Sequence, residues 1–335
     1  MYYDELATTM EHLLQDDKGI LAADESIGTI GKRFDLIKVA NTEQNRFNYR
    51  LLLANTQDLE NYINAVILFE ETFNTFDGKN VANIFAAKDI IPGIKVDRGL
   101  VNLPNTNDEK ITQGLDDLSE RLLKYKTLGA KFAKWRNVYL ITSSTPSLTA
   151  IKSGAEILAR YAATCQSLGI VPIVEPEVLI NGDHSIDHCA EATEIILHEL
   201  FKALFMHQVE LEMIILKPSM ITCGKNHQPF NTPEEIAEYT ISVFRNTVPA
   251  AVPSINFLSG GQTAEQATIN LNAINSVGEQ PWNLNFSYGR ALQDQCLQIW
   301  QGQENNVQLA QQTLLKRAKL NSAACLGKYT KNMEK

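Results

Sequence analysis

The stretch "MIILKPSM", residues 213–220, is an apolar run that ends in Lys217, Pro218 and Ser219. Its first residues suit a strand covered on both faces, yet lysine is among the side chains least often buried without a partner. Either the Lys217 head escapes to solvent or its amine has a task. Seven further runs share the plan: "GILAADES" (19–26), "AVILFE" (65–70), "IIPGIKVD" (90–97), "FAKWRNVYLI" (132–141), "IVPIVEPEV" (170–178), "VPSINFLSG" (252–260) and "LNFSYG" (284–289).

Helix signals fill the intervals. Thr232, Pro233 and Glu235 supply a cap, a first-turn proline and a reciprocal acid before "IAEYTISVF", and Thr263 with Gln266 repeats the box before "ATINLNAI". Helical periodicity also marks "EQNRFNYRLLLANT", "GLDDLSERLLKYKTLG", "SLTAIKSGAEILARYAATCQSLG" and "EATEIILHELFKALF". Strands alternating with helices pair in parallel through right-handed crossovers, which places the chain in the α/β class. A doubly wound open sheet satisfies that alternation too. Eight units in 335 residues, somewhat above the typical ~250, favour a closed (β/α)8 TIM barrel. No Pro/Gly/Ser-rich linker or charge block interrupts the chain, so residues 1–335 are expected to form a single domain with helical additions at both ends.

Composition narrows the function. An apolar fraction of 44% and a charged fraction of 21% describe a globular chain. A net charge of -9 argues against nonspecific nucleic-acid binding and against attraction to anionic membrane. The opening "MYYDELATTM" has no basic or apolar leader character, and no apolar run is long enough to span a bilayer. Five cysteines without a CxxC pair point to free thiols, and the expected location is the cytoplasm.

Asp24, Lys95, Lys134, Arg136, Glu175, Glu177, Lys217, Ser259 and Arg290 fall within or just after runs that otherwise read as buried. Any single one also fits an edge residue facing solvent. Together they suit a barrel, whose strands converge on one mouth at their C-terminal ends. Residues two apart on a strand share a side, so Lys134 goes with Arg136 and Glu175 with Glu177. A lysine amine must be neutral to attack a carbonyl, and desolvation or a neighbouring cation such as Lys134 lowers its pKa toward that form. Lys217 therefore reads as a Schiff-base nucleophile, with Glu175 and Asp24 available for proton transfer. A snorkelling side chain at a strand end is the plainer alternative.

Two turns suit phosphate. "LSGGQTAEQ" brings Ser259, Gly260 and Gly261 to the start of a capped helix, where bare backbone N–H groups can approach an anion. "SYGRAL" sets Gly289 and Arg290 at another helix start after the eighth run, a place where barrels often hold phosphate. A metal reading rests on His184 and His188, four apart beside Asp183 and Asp187, but "NGDHSIDHCAEA" opens like an exposed turn leading to a helix. Neither GxxxxGK[ST] nor GxSxG occurs.

The segments "KGILAADESIGTIGKRF", "GIKVDRG", "TQGLDDLSER", "AKFAKWR", "ARYAATCQSLGIVPIVEPEVL", "LKPSM", "FLSGGQ", "INLNAIN" and "FSYGRALQ" run in order from about Lys18 to Tyr329. In them the chain resembles the class I fructose-bisphosphate aldolases. The resemblance implies the (β/α)8 fold and reversible cleavage of fructose 1,6-bisphosphate, with a covalent imine and neither metal nor cofactor. It implies Lys217 as the imine-forming lysine and Glu175 as the acid/base of carbinolamine dehydration. Asp24 would take part in proton transfer at the C3–C4 bond, and Lys134 and Arg136 would position substrate and bias the charges. Glu177 would support the lysine cluster. Ser259, Gly260, Gly261, Ser287, Gly289 and Arg290 would hold the C1 phosphate, and Ser26, Thr29, Arg33 and Lys95 would serve the substrate's other end. Thr29 stands where the family commonly has serine. Relatives are usually homotetramers. Animal-type members end in a mobile tail with a terminal tyrosine that assists proton exchange; this sequence ends "KYTKNMEK", and the expectation is that either another group or water exchanges that proton or the step is slow. Two other readings stay open at this point: a Schiff-base lyase for a different phosphosugar, and a noncatalytic binding protein on the same scaffold.

Overall fold

The computed structural model describes residues 2–335. Eight parallel strands close a barrel: β1 (Gly19–Ala23), β2 (Ile63–Leu68), β3 (Ile91–Lys95), β4 (Phe132–Tyr139), β5 (Val171–Val178), β6 (Ile215–Leu216), β7 (Ser254–Phe257) and β8 (Asn283–Tyr288). Consecutive strands pair around the ring, and β8 closes on β1 through Ile20 opposite Ser287. All eight expected runs are strands of this ring. The most marked departure is β6, which keeps only Ile215 and Leu216 as strand; residues 211–213 form a 3-10 turn, and regular strand ends at Lys217, whose N–H still reaches Val174 O at 2.8 Å. Proline at 218 has no N–H to offer a neighbouring strand, which stops the pairing there.

Period-two alternation sorts the strand residues. Leu21, Ala23, Val66, Leu68, Trp135, Val174 and Leu216 face outward into the core beneath the helices. Ile20, Ala22, Ala65, Ile67, Phe132, Ile173 and Ile215 face inward and pack on one another. Counting on by two from Phe132, Ile173 and Ile215 gives Lys134, Glu175 and Lys217. The inner wall is therefore apolar at its N-terminal half and charged at its C-terminal mouth. Gly93 lies opposite Phe132, where a Cβ would run into the phenyl ring, so the small residue is what lets that ring fill the interior.

The surrounding helices are α2 (Ile27–Leu36), α3 (Glu43–Ala54), α4 (Val81–Ala86), α5 (Leu118–Thr127), α6 (Leu148–Ser167), α7 (Ile186–Met206), α8 (Pro233–Thr247), α9 (Ala264–Asn275), α10 (Arg290–Trp300) and α11 (Val307–Cys325). Both expected capping boxes form, Thr232 with Glu235 and Thr263 with Gln266. α7 begins five residues before the expected "EATEIILHELFKALF" because Ser185 caps it, accepting from His188 N at 3.3 Å. A short antiparallel ribbon, Leu100–Asn102 with Lys110–Thr112, stands beside the β3–β4 side of the mouth.

A first helix, α1 (Tyr3–Leu13), seals the opposite end. Leu6, Met10 and Leu13 join the barrel's inner apolar cluster. Asn64 Nδ2 donates to the carbonyls of His12 and Leu13 at 3.1 and 3.0 Å, satisfying acceptors that a helix C-terminus leaves free. Asn285 Nδ2 ties down the following turn, donating to the carbonyls of Gln15 and Lys18 at 3.0 and 2.8 Å. All five cysteines are buried and unpaired, and among the described residues no helix is long and apolar enough to cross a membrane.

Candidate active site

At the C-terminal mouth a cleft of about 410 Å³ is lined by residues from β1, β3 to β6 and the turns after β7 and β8. Seven cationic side chains face four carboxylates in its lining: Lys32, Arg33, Lys95, Lys134, Arg136, Lys217 and Arg290 against Asp24, Glu25, Glu175 and Glu177. On a chain of net charge -9 this is a local reversal of sign, and it suits a multiply charged anion.

The centre is a chain of alternating charges. Lys217 Nζ lies 2.5 Å from Glu175 Oε1, Glu175 Oε2 lies 2.8 Å from Lys134 Nζ, and Lys134 Nζ lies 2.9 Å from Asp24 Oδ2. The Lys134, Glu175 and Lys217 side chains are each at most 5% exposed. Register explains the proximity. Arg136 pairs with Glu175 across β4 and β5, Ile173 and Val174 pair with Ile215 and Leu216, and Lys217 N donates to Val174 O at 2.8 Å. Lys95 is the ladder neighbour of Lys134 and binds Asp97 at 2.8 Å. Arg136 closes an ion pair with Glu177 farther out, where its side chain is 35% exposed.

These surroundings set the charge states. Burial, together with the Lys134 cation, pushes the Lys217 amine below the usual lysine range, against the pull of Glu175 and Asp24. Burial alone would raise the Asp24 carboxyl, but Lys134 and Lys217 outweigh it and hold it at about 2. Glu175 is likewise kept low, the Lys134 and Lys217 cations overcoming its burial. Lys134, despite burial, is held firmly protonated by Asp24 and Glu175. One lysine of the pair is thus charged and the other biased toward the free amine.

The turns after β7 and β8 sit beside this chain. Ser259 and Gly260 line the cleft, with Gly260 and Gly261 in the left-handed region at φ +55° and +85°. Gly261 is the one residue of the expected site that does not reach the lining; it stands behind the turn against Ile180 and Arg290. Ser287 is 1% exposed, and its hydroxyl has no hydrogen-bond partner. Gly289 precedes the first turn of α10, and Arg290 projects from it into solvent at the rim. Across the mouth, Ser26 caps α2 and its hydroxyl lies 3.0 Å from that of Thr29, while Arg33 is already ion-paired with Glu25 and Asp294.

The histidine pair does not form a metal centre. His184 lies before the Ser185 cap, buried, and burial lowers its pKa; His188 lies inside the helix. Among the described residues no group of three or more His, Cys, Asp or Glu side chains converges as an ion site would require. Glu25, Arg50, Asp97, Gln293 and Asp294 escaped the sequence reading. Glu25 adjoins Asp24 in "ADES" and was within reach of it, but Gln293 and Asp294 meet partners some 260 positions away, and no local pattern marks such a pair.

A family model described as fructose-bisphosphate aldolase class-I matches residues 5–335. A cytoplasmic isozyme of fructose-bisphosphate aldolase from Spinacia oleracea is 52% identical over 98% of this chain and 92% of its own length. The fructose-bisphosphate aldolase of Plasmodium falciparum is 50% identical over 97% of this chain and 89% of its own. A solved structure of the Plasmodium falciparum aldolase, in complex with TRAP and a small molecule inhibitor, superposes with a TM-score of 0.96 over 98% of this chain and 96% of that one, at 50% identity. With that agreement in sequence, in fold and across the whole length, the chain belongs to the class I fructose-bisphosphate aldolase family.

Proposed function

We propose that Lys217 is the nucleophile through which this aldolase cleaves fructose 1,6-bisphosphate to dihydroxyacetone phosphate and glyceraldehyde 3-phosphate. The observation that carries the assignment is the buried Lys217–Glu175–Lys134–Asp24 chain at the barrel mouth. Lys217, desolvated and beside a second cation, offers a free amine to the C2 carbonyl of the open-chain ketose. Glu175, 2.5 Å from that amine, is the group within reach to take its proton and return it to the departing hydroxyl, giving the iminium. Asp24, on the far side of Lys134, accepts the C4 hydroxyl proton as the C3–C4 bond breaks. The electron pair of that bond passes into the iminium as an enamine, so the class I reaction needs no metal. Protonation of the enamine and hydrolysis then release the ketone product and restore Lys217.

The phosphates supply binding energy remote from the reacting bond, which orients it. Ser259, Gly260, Ser287, Gly289 and Arg290, with Gly261 shaping the turn, are proposed for the C1 phosphate, because β7 adjoins β6 and C1 adjoins the imine carbon. The unpartnered Ser287 hydroxyl is available for such a group. Ser26, Thr29, Arg33 and Lys95 are proposed for the other end, with Arg136 and Glu177 steadying the lysine cluster. We further propose that residues 1–335 work as one domain in the cytoplasm, in glycolysis and gluconeogenesis, as a homotetramer. The cytosolic names of relatives support the compartment, although a chloroplastic relative also occurs.

Borohydride reduction in the presence of dihydroxyacetone phosphate, followed by peptide mapping, tests the assignment. The label is expected on Lys217 and absent from Lys217→Ala; label on another lysine refutes it. Undiminished cleavage in EDTA is expected of the unreduced enzyme.

A further inference from the structure

Arg33 lines the rim of the cleft from the last turn of α2, yet two carboxylates already occupy it. One guanidinium nitrogen meets Glu25, and Nη2 donates to Asp294 Oδ1 at 2.8 Å. The two acids are held very differently. Glu25 has a side chain only 10% exposed, binds Arg50 Nη2 at 2.5 Å and receives Gln293 Nε2 at 3.2 Å. Gln293 is itself fully buried and anchored on Ala22 O at 2.7 Å. Glu25 is therefore fixed, and Arg50 would continue to compensate its charge if Arg33 turned to another anion. Asp294 sits on the second turn of α10 with its side chain 47% exposed, and among the described residues its carboxylate has no partner except Arg33.

An exposed aspartate can be given up to water at little cost, whereas a phosphate brings two charges and a geometry that matches the guanidinium fork. Arg33 also keeps a donor in reserve, since its Nε is buried with no partner. We propose that Asp294 is a displaceable counter-ion: it occupies Arg33 in the ligand-free enzyme, competes with the far phosphate of the ketose, and so helps set the preference between bisphosphate and monophosphate substrates. The inference rests on the reading of Arg33 as a ligand for that phosphate.

Steady-state cleavage of fructose 1,6-bisphosphate and fructose 1-phosphate by the wild type, Asp294→Asn, Arg33→Met and the double variant decides it. Asp294→Asn is expected to lower KM for the bisphosphate by about two- to fivefold, the worth of a half-exposed ion pair, and to move KM for the monophosphate by less than about twofold. In the Arg33→Met background the same substitution should change neither. An unchanged or raised bisphosphate KM in Asp294→Asn overturns the proposal, the rise because Asp294 would then be holding Arg33 in place for substrate. Equal shifts for both ketoses overturn it as well, pointing to a general field effect. If Arg33→Met fails to weaken the bisphosphate selectively, the reading of Arg33 falls and the proposal with it. If Arg33→Met is selective and Asp294→Asn is not, only the proposal falls.

Discussion

Lys217 stands at the level where the barrel's inner wall changes from apolar to charged, with Ile215 one inward position below it and Glu175 beside it. Its usefulness depends on being dry and near a cation at once. Burial and Lys134 favour the free amine, and Glu175 and Asp24 oppose them. The sign of a substitution at Lys134 follows. Lys134→Met deletes a repulsive cation and leaves both carboxylates facing Lys217 alone, so the amine keeps its proton to higher pH. Since attack requires the free amine, the acid limb of kcat/KM is expected to move to higher pH, and the residual neutral-pH rate to fall from this cause alone. A pH–rate profile of the variant checks this; a limb that stays or moves down contradicts the assigned balance of charges.

At the scale of elements, the turn from β7 into α9 shows how backbone prepares a binding surface. Thr263 and Gln266 fix the start of α9, and Gly260 and Gly261 take left-handed conformations that bring Ser259 and Gly260 to the cleft lining. A side chain at Gly261 is strained by φ +85°, and its Cβ would stand 3.2 Å from Ile180 Cγ2. Gly261→Ala is expected to cost about 1–2 kcal/mol of stability. Because the turn borders Ser259 and Gly260, it is also expected to raise KM for the bisphosphate more than it lowers kcat. Denaturant midpoints and steady-state kinetics measure the two effects separately.

Across the whole molecule, stability and chemistry occupy opposite ends of one barrel. α1 closes the N-terminal end with Leu6, Met10 and Leu13, while every charged group of the cleft lies at the other. Leu13 is 1% exposed, so Leu13→Ala opens a cavity expected to cost about 2–4 kcal/mol. Chemical denaturation should show that loss, with kcat and KM within about twofold of the wild type, because the mouth is assembled by strand register beyond the reach of that cavity. A matching fall in kcat would mean that the two ends are coupled more tightly than their separation implies.

The eight strands, their alternation with helices and the two capping boxes were legible along the chain, because periodicity and helix starts are written in residues a few positions apart. The sequence by itself also marked Lys217, Glu175, Lys134 and Asp24, since ionisable groups in otherwise apolar runs stand out locally. Only the folded barrel aligned Lys217, Glu175, Lys134 and Asp24, from four separate segments, into one chain of contacts. It alone joined Glu25 to Arg50 and Gln293, and Arg33 to Asp294. Those outcomes depend on which distant segments the closed ring brings side by side, and contact across hundreds of residues leaves no periodic trace along the chain.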